Sequence, residues 1–140
     1  MEVIDIVKKM NSKKNFRIAM LYHYYLRIIY GCDIMPGTQI GGGTRFPHRA
    51  LGVVINKDCV IGENCTIGKG VVIGGRSGNP VVPIIGDSVL VGSNAVVIGP
   101  VKIGKGAQIG AGAVVVHDVP EYSVVVGNPA HVIKILTPDN

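Results

Sequence analysis

The chain has no tryptophan, two phenylalanines and an aromatic content of 5% over 140 residues. A core built around large rings is excluded, so any interior must be narrow. Charge is sparse too, at 16% of residues with a formal net of +5. It is not gathered into the basic stripe that nucleic-acid binding needs, and no nucleic-acid partner is expected. The three cysteines form no CxxC pair, which removes the usual zinc and redox motifs. An odd cysteine count without a secretory leader points to a reducing, cytoplasmic setting. No apolar run is long enough to span a bilayer, because Arg17, His23 and Arg27 interrupt the longest candidate.

What the chain does have is 20 glycines and an aliphatic residue at every sixth position. Ile55, Ile61, Ile67, Ile73, Ile85, Val91, Val97, Ile103, Ile109 and Val115 share one register, broken only at Asn79. Ile34, Ile40 and Phe46 form an earlier run, offset by three residues. Four residues after each aliphatic comes a slim one, among them Thr38, Thr44, Ala50, Cys59, Cys65, Ala95, Ala107 and Ala113. The cysteines thus read as small apolar fillers. A period of six fits neither a helix nor a flat strand. It is the hexapeptide β-helix signature, in which three units close a coil of about 18 residues. The fold class is all-β: a parallel β-helix prism of roughly five coils, about 24 Å tall at about 4.8 Å per coil. Spacing does not set its hand, and parallel crossovers are normally right-handed.

Three segments follow. Residues 1–31 are helical, with Ile18, Leu21, Tyr22, Tyr25, Leu26 and Ile29 at helical spacing in one short amphipathic helix over Asn15–Tyr30. Lys8, Lys9, Lys13 and Lys14 read as a solvated helix end, and the tyrosines and arginines leave peripheral membrane contact open as a role. Residues 32–118 are the prism. Residues 119–140 form a capping tail whose last four residues, TPDN, are expected to fray.

A regular coil has no cleft, so chemistry belongs where the repeat fails. One failure is the register slip at PHRALG (residues 47–52), which carries His48; the other is the excursion loop over residues 74–84. A histidine suits the abstraction of a hydroxyl proton near neutral pH. Asp33, 15 residues earlier, is the carboxylate placed to orient it. By residue type alone, a structural histidine is the default reading of His48.

The stretches GCDIMPGTQIGGGTRFPHRALGVVI, VVIGG and IGAGAVVVHDVPEYSVVVGNPAHVI are similar to the serine acetyltransferase branch of the left-handed β-helix, hexapeptide-repeat acyltransferases. The resemblance covers Gly31 to Lys134. It implies a left-handed coil, a homotrimer, acetyl-CoA as cosubstrate, no metal, and an Asp33–His48 dyad that activates an acceptor hydroxyl for direct acetyl transfer. It also implies CoA contacts at Gly75, Ser93 and Ala111, with Gly75 the candidate oxyanion donor. Their two 18-residue intervals suggest one column down a face. His131 and Lys134 stand where the family places a phosphate-binding cation.

The chain also departs from that branch. Val81 and Val82 replace an Arg-His pair, and Pro47 replaces an Asp before the catalytic histidine. Those charged groups hold the ends of an amino acid, so their loss predicts a changed acceptor. A sugar hydroxyl of a surface-polysaccharide pathway is the expectation, bound by Arg49, Arg76 and Asn79. The alternatives are serine O-acetylation for cysteine synthesis, and a non-catalytic trimeric scaffold. A zinc hydratase on the same prism would need three ligating histidines, and only His48 lies on the regular coils.

Overall fold

In the computed structural model, which describes residues 1–138, the chain winds into a three-faced prism of parallel strands. The first face stacks Asp33–Ile34, Val54–Ile55, Val72–Gly74, Val96–Ile98 and Val114–Val115. The second stacks Gln39–Ile40, Val60–Ile61, Ile84–Ile85 and Lys102–Ile103; the third stacks Thr66–Ile67, Leu90–Val91, Gln108–Ile109 and Ser123–Val126. Isolated bridges at Arg45–Thr66 and Ile103–Val119 add a rung to the third and second faces. The coil therefore continues past Val116, and only then does His131–Ile135 turn back antiparallel against Ser123–Val126. Two residues of the expected frayed end, 139 and 140, lie outside the described residues.

The sixfold positions make the core. Each aliphatic from Ile55 to Val115 on the main register is at most 2% exposed, and the slim positions Cys59, Cys65, Ala95, Ala107 and Ala113 are fully buried. Glycine directly after the aliphatic is required because the corners stack backbone on backbone. A Cβ on Gly68 would sit 2.7 Å from the Ser93 amide nitrogen, and one on Gly92 would sit 2.5 Å from that of Ala111. Buried Thr44 satisfies its hydroxyl by donating to the Gly62 carbonyl and accepting from the Cys65 N–H. Pairing registers show where the repeat fails. Asp33 pairs with Val54, 21 residues on, whereas Val54 pairs with Val72 at 18 and Val72 with Val96 at 24. The slip at PHRALG thus inserts three residues, and the excursion inserts six that occupy no face.

The N-terminal segment differs from the single helix expected. A first helix, α1 (Val3–Asn11), precedes α2 (Phe16–Tyr25), and α2 runs into a π-helical turn over Leu26–Tyr30 that ends at left-handed Gly31. α1, nine residues long, buries Val3, Ile6, Val7 and Met10 as one helical stripe. So short a helix is stabilised by packing rather than by propensity, which makes it easy to pass over in sequence. The Asn11 amide donates to the Thr38 carbonyl and its oxygen accepts from the Gly37 N–H, tying α1 to the first coil. Among the described residues, no helix is long and apolar enough to cross a membrane.

Two predictions follow from the packing. Gly68→Ala is expected to destabilise the fold by about 1–3 kcal/mol, read as a lower urea midpoint at unchanged slope. Burial, helped by the Asp33 charge, pushes the Cys32 thiol up to about 11; burial likewise pushes Cys59 up to about 11. The folded state holds these protons more tightly than the unfolded chain does. The stability they lend is complete below the ordinary thiol value of 9.0 and is lost as pH rises toward about 11. Iodoacetamide should therefore label the native protein slowly at mildly alkaline pH and rapidly in urea, and the unfolding midpoint should fall across that window.

Candidate active site

The edge between the third and first faces carries most of the candidate residues. Its successive corners are Pro47–Val53, Gly68–Gly70, Gly92–Asn94 and Gly110–Gly112, each lying over the last. The regular corners turn with one left-handed residue, namely Gly70, Asn94 or Gly112. The corner of His48 uses three in a row: His48 (φ 54), Arg49 (φ 54) and Ala50 (φ 59). Each such residue costs about 1–2 kcal/mol relative to right-handed backbone. The turn is closed by the Leu51 N–H donating to the His48 carbonyl at 3.2 Å, and anchored by buried Ala50. Strained backbone of this kind recurs where a side chain must be held in one direction. Here the extra residues push the His48 imidazole out of the coil, exposed, beside a groove of about 330 Å³ lined by Met1, Glu2, Val3, Phe46 and Arg49.

Asp33 opens the first strand after this edge. Its N–H donates to the Val53 carbonyl, and the Gly52 N–H to the Gly31 carbonyl, so its backbone is joined directly to the His48 loop. Its carboxylate is engaged from the other side. Arg27 Nη1 donates to one oxygen at 2.9 Å, and His23 Nε2 lies 3.8 Å from the other. His23 is 3% exposed, and its Nδ1 donates to the Ile34 carbonyl at 3.1 Å, so Nε2 is the atom turned to Asp33. These two residues, His23 on α2 and Arg27 on the π-helical turn that continues it, were not anticipated as site residues. Their four-residue separation, which places both on one helix face, was the available signal. Asp33 also borders a second groove, of about 450 Å³, that crosses the outer surface of the first face through Val54 and Val72 to Gly74.

Ser93 and Ala111 lie on the same edge as His48, two and three coils above it, at about 10 and 14 Å. Gly75 does not join them. It sits at the opposite edge, between the first and second faces, where Gly74 pairs with Ile98 and the excursion begins. The single column expected from the 18-residue intervals is therefore corrected. The six residues inserted after Gly75 lengthen that coil, so an interval of 18 no longer spans one vertical step. Arg76 and Asn79 go with Gly75: they bridge each other across the exposed loop tip, away from Arg49, which stays beside His48. In the same loop Val81 is exposed, while Val82 packs on the core. At the top of the His48 edge, the turn Gly127–Ala130 hydrogen-bonds to Val114 and delivers exposed His131; Lys134 stands farther back on the third face, opposite Val124. Among the described residues, no three His, Cys, Asp or Glu side chains cluster as metal ligands would.

Residues 52–84 match a family model described as hexapeptide repeat of succinyl-transferase, and residues 83–117 match bacterial transferase hexapeptide (six repeats). A serine acetyltransferase of Bacillus licheniformis is 41% identical over 130 residues, 91% of this chain and 60% of that protein. The solved serine acetyltransferase of Neisseria gonorrhoeae superposes with a TM-score of 0.88 at 35% identity, covering 98% of this chain and 56% of the other. In sequence and in fold this chain is similar to the hexapeptide-repeat acyltransferases of the serine acetyltransferase-like branch. A serine acetyltransferase solved in complex with CoA matches at a TM-score of 0.84 and 30% identity, over 94% of this chain and 55% of that one. This hexapeptide-repeat protein spans about three fifths of the length of the curated relatives it matches. The match to these solved structures makes the prism a left-handed β-helix, a hand that repeat spacing left open.

His23 is the element of the site most open to test. His23→Ala leaves the Ile34 carbonyl unpaired in the interior, and a loss of about 1–3 kcal/mol is expected in urea unfolding.

Proposed function

We propose that this chain is an acetyl-CoA-dependent O-acetyltransferase with His48 as general base. The observation that carries this reading is the shared edge. An exposed imidazole on a strained corner stands at the foot of a strip in which Ser93 and Ala111 present only small side chains, with His131 at its upper end. Such a strip suits an extended pantetheine arm, because Ser93 and Ala111 leave its upper half open above exposed Lys69 on the intervening corner, and a histidine near its top suits a phosphate. The naming of a solved relative as a complex with CoA supports the same cosubstrate.

In this mechanism His48 accepts the proton of the acceptor hydroxyl as its oxygen bonds to the acetyl carbonyl carbon. The carbon–sulfur bond breaks, and the proton returns from the imidazolium to the departing thiolate. Asp33 is the carboxylate assigned to orient His48, although in this structure its side-chain partners are Arg27 and His23 and only its backbone is bonded to the His48 loop. Charge developing on the carbonyl oxygen needs N–H donors. The candidate, Gly75, lies at the opposite edge of the first face. A homotrimer, in which one protomer's excursion meets the His48 edge of the next, would reunite the two half-sites.

L-Serine is the acceptor that the comparisons support, since the relatives at 41% and 35% identity are serine acetyltransferases. The sugar reading is kept as a second, because Val81, Val82 and Pro47 supply no charge for either end of an amino acid.

The test is acetyl transfer from acetyl-CoA to L-serine and to a panel of nucleotide sugars, followed by mass spectrometry. Transfer to serine is expected, with kcat/KM falling by about 10²–10⁴-fold in His48→Ala. An unchanged rate in that variant would remove His48 as the base. Transfer to a sugar in preference to serine would install the second reading, and absence of CoA binding would leave a scaffold.

A further inference from the structure

We propose that α2 and the π-helical turn after it form an interfacial platform for an anionic lipid surface. The helix is apolar on both sides. Ala19, His23 and Leu26 are buried against the rest of the molecule. The opposite side presents Phe16, Leu21, Tyr24, Ile28 and Ile29, which are 52–77% exposed. A helix with two apolar faces needs a second cover, and an outward stripe this continuous exceeds the scattered apolar residues of an ordinary surface. A hollow of about 440 Å³, lined by Met1, Ile18, Leu21, Tyr22 and Tyr25, adjoins the stripe.

Charge and aromatic placement select the cover. Residues 1–31 hold six of the 14 Lys and Arg and two of the nine Asp and Glu, a net of +4 out of the protein's +5. Lys13, Lys14 and Arg17 sit at the start of α2, and Arg17 lies within the apolar stripe, where its stem can stay among apolar groups while the guanidinium reaches headgroups. Four of the five tyrosines lie in this segment, the residue type that prefers the boundary between hydrocarbon and water. A second copy of the chain would bring an equal cationic patch against this one, which is unfavourable. An anionic leaflet satisfies both the apolar stripe and the charge. The short helix lies on the surface and does not cross it. The platform does not depend on the acetyltransferase reading.

The test is co-sedimentation of the full chain with vesicles of phosphatidylcholine alone and of phosphatidylcholine mixed with phosphatidylglycerol, at low and high salt, with mass measured by light scattering in their absence. Binding is expected only to the mixed vesicles and should weaken with salt. The triple variant K13Q/K14Q/R17Q, which leaves the apolar stripe intact, should bind roughly tenfold or more weakly. Leu21→Glu with Ile28→Glu should abolish binding while circular dichroism shows the fold retained. Failure of the unmodified protein to bind mixed vesicles would overturn the proposal. So would binding that is equal on neutral vesicles, or a smaller particle mass in the Leu21/Ile28 variant, which would make the stripe an interface between copies.

Discussion

Every coil of this protein rests its corners on the backbone of the coil beneath, and the rest of the structure follows from that contact. Gly68 faces the Ser93 nitrogen, Gly92 that of Ala111, and Gly104 that of Glu121, each close enough to forbid a Cβ. The same closeness lets every strand on the three faces hydrogen-bond to its neighbours above and below. It leaves an interior only wide enough for one ring of aliphatics per level. The scarcity of aromatic residues, the slim fourth positions and the unreactive buried cysteines are consequences of that width.

A scaffold so tightly specified has little room for chemistry within the repeat, and its two departures carry the candidate functions. The three-residue insertion at Pro47–Val53 adopts a run of three left-handed residues where regular corners use one, and it exposes an imidazole. The six-residue insertion after Gly75 leaves the prism altogether. They emerge at opposite edges of the first face, so one chain presents two incomplete halves. This division accords with a site completed between protomers. On the proposed reading, Gly75 and the excursion are the half that lies apart from His48 within a single copy.

The hexad positions were legible because period and burial coincide: an aliphatic at the wrong sixth residue would face water. The His48 corner was legible as a slip in that period. Four features were not. α1 is too short for its pattern to outweigh the lysines that follow it. His23 and Arg27 act on Asp33 only because α2 folds back on the first coil. Gly75 was assigned to a column by counting 18, a count that an insertion invalidates. The continuation of the coil through Val119 and Ser123–Val126 was hidden because DVPEYS departs from the hexapeptide pattern while still closing a turn.

By itself the sequence determined the prism, its approximate height, the identity of its core and the two places where the repeat gives way. These follow from local periodicity, which short parallel rungs translate directly into burial. Tertiary structure alone decided which residues share an edge, that α2 and the π-helical turn after it bracket Asp33 with a buried histidine and an arginine, and that an apolar helical face remains uncovered. Those relations depend on the number of residues between rungs and on how helices pack on the first coil. Neither quantity is carried by any local pattern.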